Sequence, residues 1–206
     1  MGLFSFLGKG KNVSNEEKFW TWFQKNEDML FHLEKDRERT FDKLSTELSK
    51  VGPDLTFEFG PICETGKREF VISAAGIKSS FPLVESLFDA APDLEQWNII
   101  KFRQRRTPLN DLSLNGLEIK AEDVYYNLYK DENKLGIILF IDGYTEDQRN
   151  LYASAGYLFL DEALGEYDVE TKLGFIEFHN KDSEHFNNAR TIENLAAQFD
   201  EYFEAE

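Results

Sequence analysis

The chain has 206 residues, 41% of them hydrophobic, 30% charged and 15% aromatic. It is long enough for one large or two small folded domains and too apolar for a disordered chain. Thirty-nine acids against 23 bases leave a formal charge of −16, which repels nucleic acid and anionic membrane and favours basic partners. The lone cysteine, Cys63, excludes an intrachain disulfide and Cys-built metal sites and fits a reducing cytoplasm; no apolar run approaches the roughly 20 residues of a membrane span.

In chain order, MGLFSFLGKGKNV places apolar residues before Lys9 and Lys11, the reverse of a secretory signal. Gly2 suits myristoylation, but Phe6 stands where that pattern needs Ser or Thr. The stretch reads as a short sticky tail, and its Gly-Lys-Gly-Lys lacks the context of a phosphate loop. Ser14-Asn15-Glu16-Glu17 is a capping box. Helical spacing then runs through Leu30, Leu33, Phe41, Leu44, Leu48 and Val51 to a stop at Gly52-Pro53. Such a helix would be roughly 55 Å long if straight, so a break is expected near Asn26–Asp28, with Asn26 capping a second piece. KFWTWFQ (18–24) puts Phe19, Trp20, Trp22 and Phe23 within five residues, too many for one helical stripe. Trp20, Trp22 and Phe23 are therefore candidates for a partner-binding surface, unless this turn is wedged against the sheets.

After Pro53 the period becomes alternating. LTFEF (55–59) and REFVIS (68–73) flank GPICETGK as a hairpin; SSFPLVESLFDAA (79–91) is a helix with Ser80 as N-cap; WNIIKFRQ (97–104) is a strand. An irregular linker follows, with turn signals at Pro108, Asn110 and Asn115-Gly116. The order then returns: DVYYNLYK (123–130) and KLGIILFIDG (134–143) form a hairpin, residues 145–165 a helix capped by Thr145, and KLGFIEFH (172–179) a strand. A last helix spans about 190–203. The inner strands close alike, at Gly76 and at Gly143.

Three groups of residues invite chemistry. Lys101, Arg103, Arg105 and Arg106 form a basic island, and the first three share one face if the strand continues. That face suits an anion such as phosphate or a partner's carboxylate, or a ladder with the chain's own acids. LDEALGEYDVE (160–170) carries Asp161, Glu162, Glu166, Asp168 and Glu170. Because these acids alternate with inward-facing apolar residues, they read as a solvated corner between helix and strand, with no EF-hand spacing for a metal. His179 and His185 enclose Asp182 and Glu184, but their spacing matches no recognised zinc motif.

EFVISAAGI, FPLVESLFDAAPDLEQWNIIKF and LDEALGEYDVETKLGFIEF together resemble a family of bacterial cytoplasmic proteins with no assigned activity. The likeness covers framework segments, so it bears on fold and brings no catalytic residue. The expected fold is α+β: two successive ββαβ units forming mainly antiparallel sheet, one continuous or two packed, covered by a long N-terminal helix and a C-terminal helix. The expected divisions are 1–52 for tail and long helix, 53–107 for the first unit, and 108–206 for the second unit with its C-terminal helix. The expected function is a non-catalytic binding or regulatory protein, immunity- or inhibitor-like, that engages a basic protein partner and uses no cofactor. A metal-dependent hydrolase or a small-anion-binding protein is the alternative.

Overall fold

A computed structural model describes residues 13–204; the reading of the N-terminal tail lies outside the described residues. Helix α1 (Asn15–Lys25) starts with its capping box formed: Ser14 Oγ accepts the Glu17 N–H at 3.1 Å, and Glu17 Oε2 accepts the Ser14 N–H at 2.9 Å. The expected break falls at Asn26. Its side chain, however, donates back to the Trp22 carbonyl at 2.8 Å and closes α1 instead of capping the next helix. Short α2 (Glu27–Phe31), a 3-10 turn (Leu33–Lys35) and α3 (Arg37–Leu48) complete the segment. The long helix is thus three pieces, and α3 folds back against α1.

Both ββαβ units form. In the first, β1 (Thr56–Ile62) pairs antiparallel with β2 (Arg68–Ser73), and β3 (Trp97–Lys101) returns parallel to β2 after α4 (Phe81–Asp89). The linker is more regular than expected, because Asn115 and Gly116 adopt φ +49° and +83° and turn a hairpin of β4 (Leu112–Leu114) and β5 (Leu117–Ile119). In the second unit β6 (Tyr125–Asp131) pairs antiparallel with β7 (Lys134–Phe140). The chain then runs through α5 (Arg149–Leu164) and α6 (Glu166–Lys172) to β8 (Leu173–His179), parallel to β7. Strand β9 (Arg190–Thr191) adds to β6, and α7 (Leu195–Glu204) ends the fold. The expected caps differ in detail. Ser80 Oγ donates to Asp54 at 3.0 Å, and Thr145 precedes a 3-10 turn without capping it.

The registers of the two units correspond. Thr56 faces Ser73 as Tyr125 faces Phe140, and Ile72 lies beside Lys101 as Leu139 lies beside Phe178. Gly76 and Gly143 occupy the matching turns, at φ +78° and +80°. The sheets remain separate, one of three strands and one of four, with no continuous sheet joining them among the described residues.

Two hydrophobic clusters lie inside these units. Phe70, fully buried, is the hub of the first: the rings of Phe19, Trp20, Phe23, Phe57, Phe59 and Trp97 all lie within 6.4 Å of it, centroid to centroid. This corrects the partner-binding reading of α1. Trp20 is 2% exposed and Phe23 0%, and Trp20 Nε1 donates to the Leu87 carbonyl of α4 at 2.8 Å. Sheet and α4 cover the helix from two sides, so its aromatic turn needs no second protein; only Trp22 stays half-buried. Buried Arg68 ties α2 to the sheet, donating to the Phe31 and Gly60 carbonyls and pairing with Glu34, whose carboxyl that hydrogen bond holds down at about 2. Among the described residues no helix is long and apolar enough to cross a membrane. Phe70→Ala is expected to destabilise the protein by about 3–5 kcal/mol, read by denaturant unfolding, because the void opens at the centre of six rings.

Candidate binding site at the seam between the units

The basic island sits where the first unit meets the second. Strand β3 stops at Lys101; Phe102, at φ +60°, donates its N–H to the Ile72 carbonyl at 2.7 Å and turns the chain off the sheet. Arg103 and Arg105 therefore do not share a strand face with Lys101, contrary to expectation. Lys101 Nζ lies 5.4 Å from the centroid of the Phe88 ring. Arg103 Nε donates to Glu58 Oε1 of β1, and its Nη1 to Asp161 Oδ2 of α5 at 3.1 Å. Arg105 donates to the Leu164 carbonyl at 2.8 Å, to Asp168 at 3.0 Å and to both oxygens of Asp200 at 2.8 Å. Of the four, only the Arg106 guanidinium has neither an ion pair nor a ring contact among the described residues, although its backbone N–H donates to the Glu162 carbonyl at 2.7 Å. The anions that Arg103 and Arg105 hold are this chain's own carboxylates.

The acidic stretch is the other side of the same seam, and its reading as a solvated corner is corrected. Gly165, at φ +84°, separates α5 from α6, so the chain enters a second helix at once and tucks Glu166 underneath. Asp161 is 6% exposed and Glu166 0%. Glu166 Oε1 accepts the N–H groups of Ala74 at 3.0 Å and Gly76 at 3.2 Å, and Oε2 accepts that of Arg103 at 3.1 Å. Positive φ at Ala75 (+49°) and Gly76 brings the first two donors onto one point, an anion-holding nest at the end of β2. Glu162 accepts from the backbone and side chain of Asn110 at 3.0 and 3.1 Å, Asp168 pairs with Lys172 as well as Arg105, and Glu170 lies against Gly76.

Glu58 and Asp161 thus share the Arg103 guanidinium, while Glu166 and Glu170 lie close enough to raise the Asp161 carboxyl. Burial pushes the Asp161 carboxyl up; Arg103 opposes this, Glu166 and Glu170 reinforce it, and it reaches about 7. Burial, then Glu166, raise Glu170 as well, against Lys78 and Lys134. Two clefts open here. One, about 410 Å³, lies between the outward face of the first sheet (Glu58, Glu69, Val71, Ile100) and Leu112, Leu158 and Glu162. The other, about 500 Å³, is bounded by Gly76, Ser154, Tyr157, Asp161 and Glu170. On the lining of this second cleft Asp161 and Glu170 outnumber Arg103, which suits a cationic group, and a carboxyl that titrates near neutrality can exchange a proton there. Glu58 and the nest escape sequence reasoning because they meet Arg103 and Glu166 only through long-range packing.

The histidines lie elsewhere. His179 Nδ1 is 3.2 Å from Ser183 Oγ and Nε2 is 3.2 Å from Glu177, and the His185 ring packs edge-on beside it. No group of three or more His, Cys, Asp or Glu among the described residues is arranged to hold a metal ion.

The seam makes two measurable differences to stability. The folded-state carboxyl of Asp161 lies above its ordinary 3.8, so its contribution to stability is greatest in acid and is lost as pH rises through about 7. Asp161→Asn is expected to remove that part of the pH dependence and to raise Tm relative to the parent chiefly on the alkaline side of 7, as thermal melts across pH would show. Glu166→Gln turns an amide N–H₂ toward backbone donors and is expected to cost about 2–4 kcal/mol, measured by denaturant unfolding. No family model, curated protein or solved structure matched this chain.

Proposed function

We propose that the protein is a binding or regulatory protein that engages a basic protein partner, in the manner of an inhibitor, and that the seam receives a cationic side chain of that partner. The observation that carries this reading is the charge imbalance at the seam: Asp161 and Glu170 line an open cleft of about 500 Å³ on which Arg103 is the one cation, and buried Glu166 stands close enough to raise both carboxyls. The formal charge of −16 supports it on the larger scale. A long-range acidic field speeds encounter with basic proteins, and desolvated charge pairs slow their departure.

The test is titration against a panel of purified basic proteins at low and moderate salt. Salt-sensitive association with at least one is expected, weakened about tenfold or more by Asp161→Asn combined with Glu170→Gln. No association at low salt, or undiminished binding by the double variant, would overturn the reading.

A further inference from the structure

A third cavity, about 260 Å³, lies beyond the seam, where the linker crosses the second unit. Its walls are Pro108 and Leu109 of the linker, Ala163 of α5, Ile192 of the 3-10 turn before α7, and Ala196 in the first turn of α7. Two of these are alanines on helices, whose side chains stop at Cβ. Arg106 stands at the rim.

Arg106 differs from its neighbours. Arg103 and Arg105 each hold carboxylates of this chain, whereas the Arg106 guanidinium has no ion pair among the described residues. The acid joined to it through the backbone, Glu162, is kept away: both of its oxygens are taken by Asn110, at 3.0 and 3.1 Å. An exposed, planar, two-pronged donor thus borders an apolar groove of small-ligand size.

We propose that this groove binds a small monoanionic carboxylate with an apolar tail, its carboxylate on Arg106 and its tail against Leu109, Ala163, Ile192 and Ala196. Charge decides the class of anion. In a chain of −16, a multiply charged anion such as phosphate meets a strongly repulsive field, while a monoanion that also buries hydrocarbon gains from the walls what it loses to the field. Glu193, also on the lining, turns the ligand's charged end toward Arg106 by repulsion.

The probes are hexanoate and phenylpropionate, with hexanol and inorganic phosphate as comparisons, each titrated by ligand-observed NMR on the full chain. Saturable binding of both carboxylates is expected, with much weaker contact for hexanol and phosphate. Arg106→Ala removes a side chain without an internal ion pair, so the fold should be kept, as a melt would verify, and affinity should fall about ten- to a hundredfold. Ala196→Leu fills the groove and should block both acids. Glu193→Gln should leave binding equal or tighter. The proposal is overturned if neither acid saturates, if Arg106→Ala binds them as well as the parent, if hexanol binds equally well, or if Glu193→Gln weakens binding as much as Arg106→Ala does. Because no protein partner is involved, the result is independent of the acidic-seam reading.

Discussion

The Glu166 carboxylate is the contact on which the arrangement of the two units depends. It crosses from α6 to take three backbone N–H groups at the ends of β2 and β3, while its own N–H returns to the Arg103 carbonyl at 3.0 Å. A buried carboxylate is tolerated only when such donors replace its water, so this bond set fixes the position of α6 on the first unit. Around it the apolar contact is slight. The rings of Phe81 and Phe102 meet Tyr167 at 5.8 and 5.4 Å, but the two hydrophobic clusters do not merge. The seam is held by directional polar bonds, which specify one relative placement where apolar burial alone would permit several.

The two units solve the same local problem differently. In the second, the turn at Gly143 donates its N–H to Asn180 Oδ1 of the same unit at 3.3 Å. In the first, the matching turn at Gly76 relies on a residue of the other unit. Equal strand registers therefore accompany unequal self-sufficiency, and the larger of the two seam clefts opens at the dependent turn.

Much of the architecture is legible in residues near one another in the chain. The capping box at Ser14, the positive-φ pair Asn115-Gly116 and the alternation of REFVIS act over a few positions, and each gives the element it suggests. The illegible part depends on distant partners. Period alone suggests that β3 continues to Gln104, but the positive φ at Phe102 and the attraction of Arg103 to Asp161 end it at Lys101. Nor does composition tell which acids of 160–170 are buried, because Glu166 becomes an inside residue only through donors some ninety positions earlier. The aromatic turn of α1 misleads for a related reason: an excess of rings marks an interface, and here the interface is with the chain's own sheet and α4.

The dependence of Gly76 on Glu166 also orders events during synthesis. The ribosome delivers the N-terminal unit first, and its hairpin, crossover helix and third strand are all outside the exit tunnel while α6 is still to be translated. Until then the amides of Ala74, Gly76 and Arg103 must be served by water, and the turn they form stays open to solvent. The first unit therefore lacks its own acceptor for these amides, and its finished form requires a glutamate from the second half of the chain.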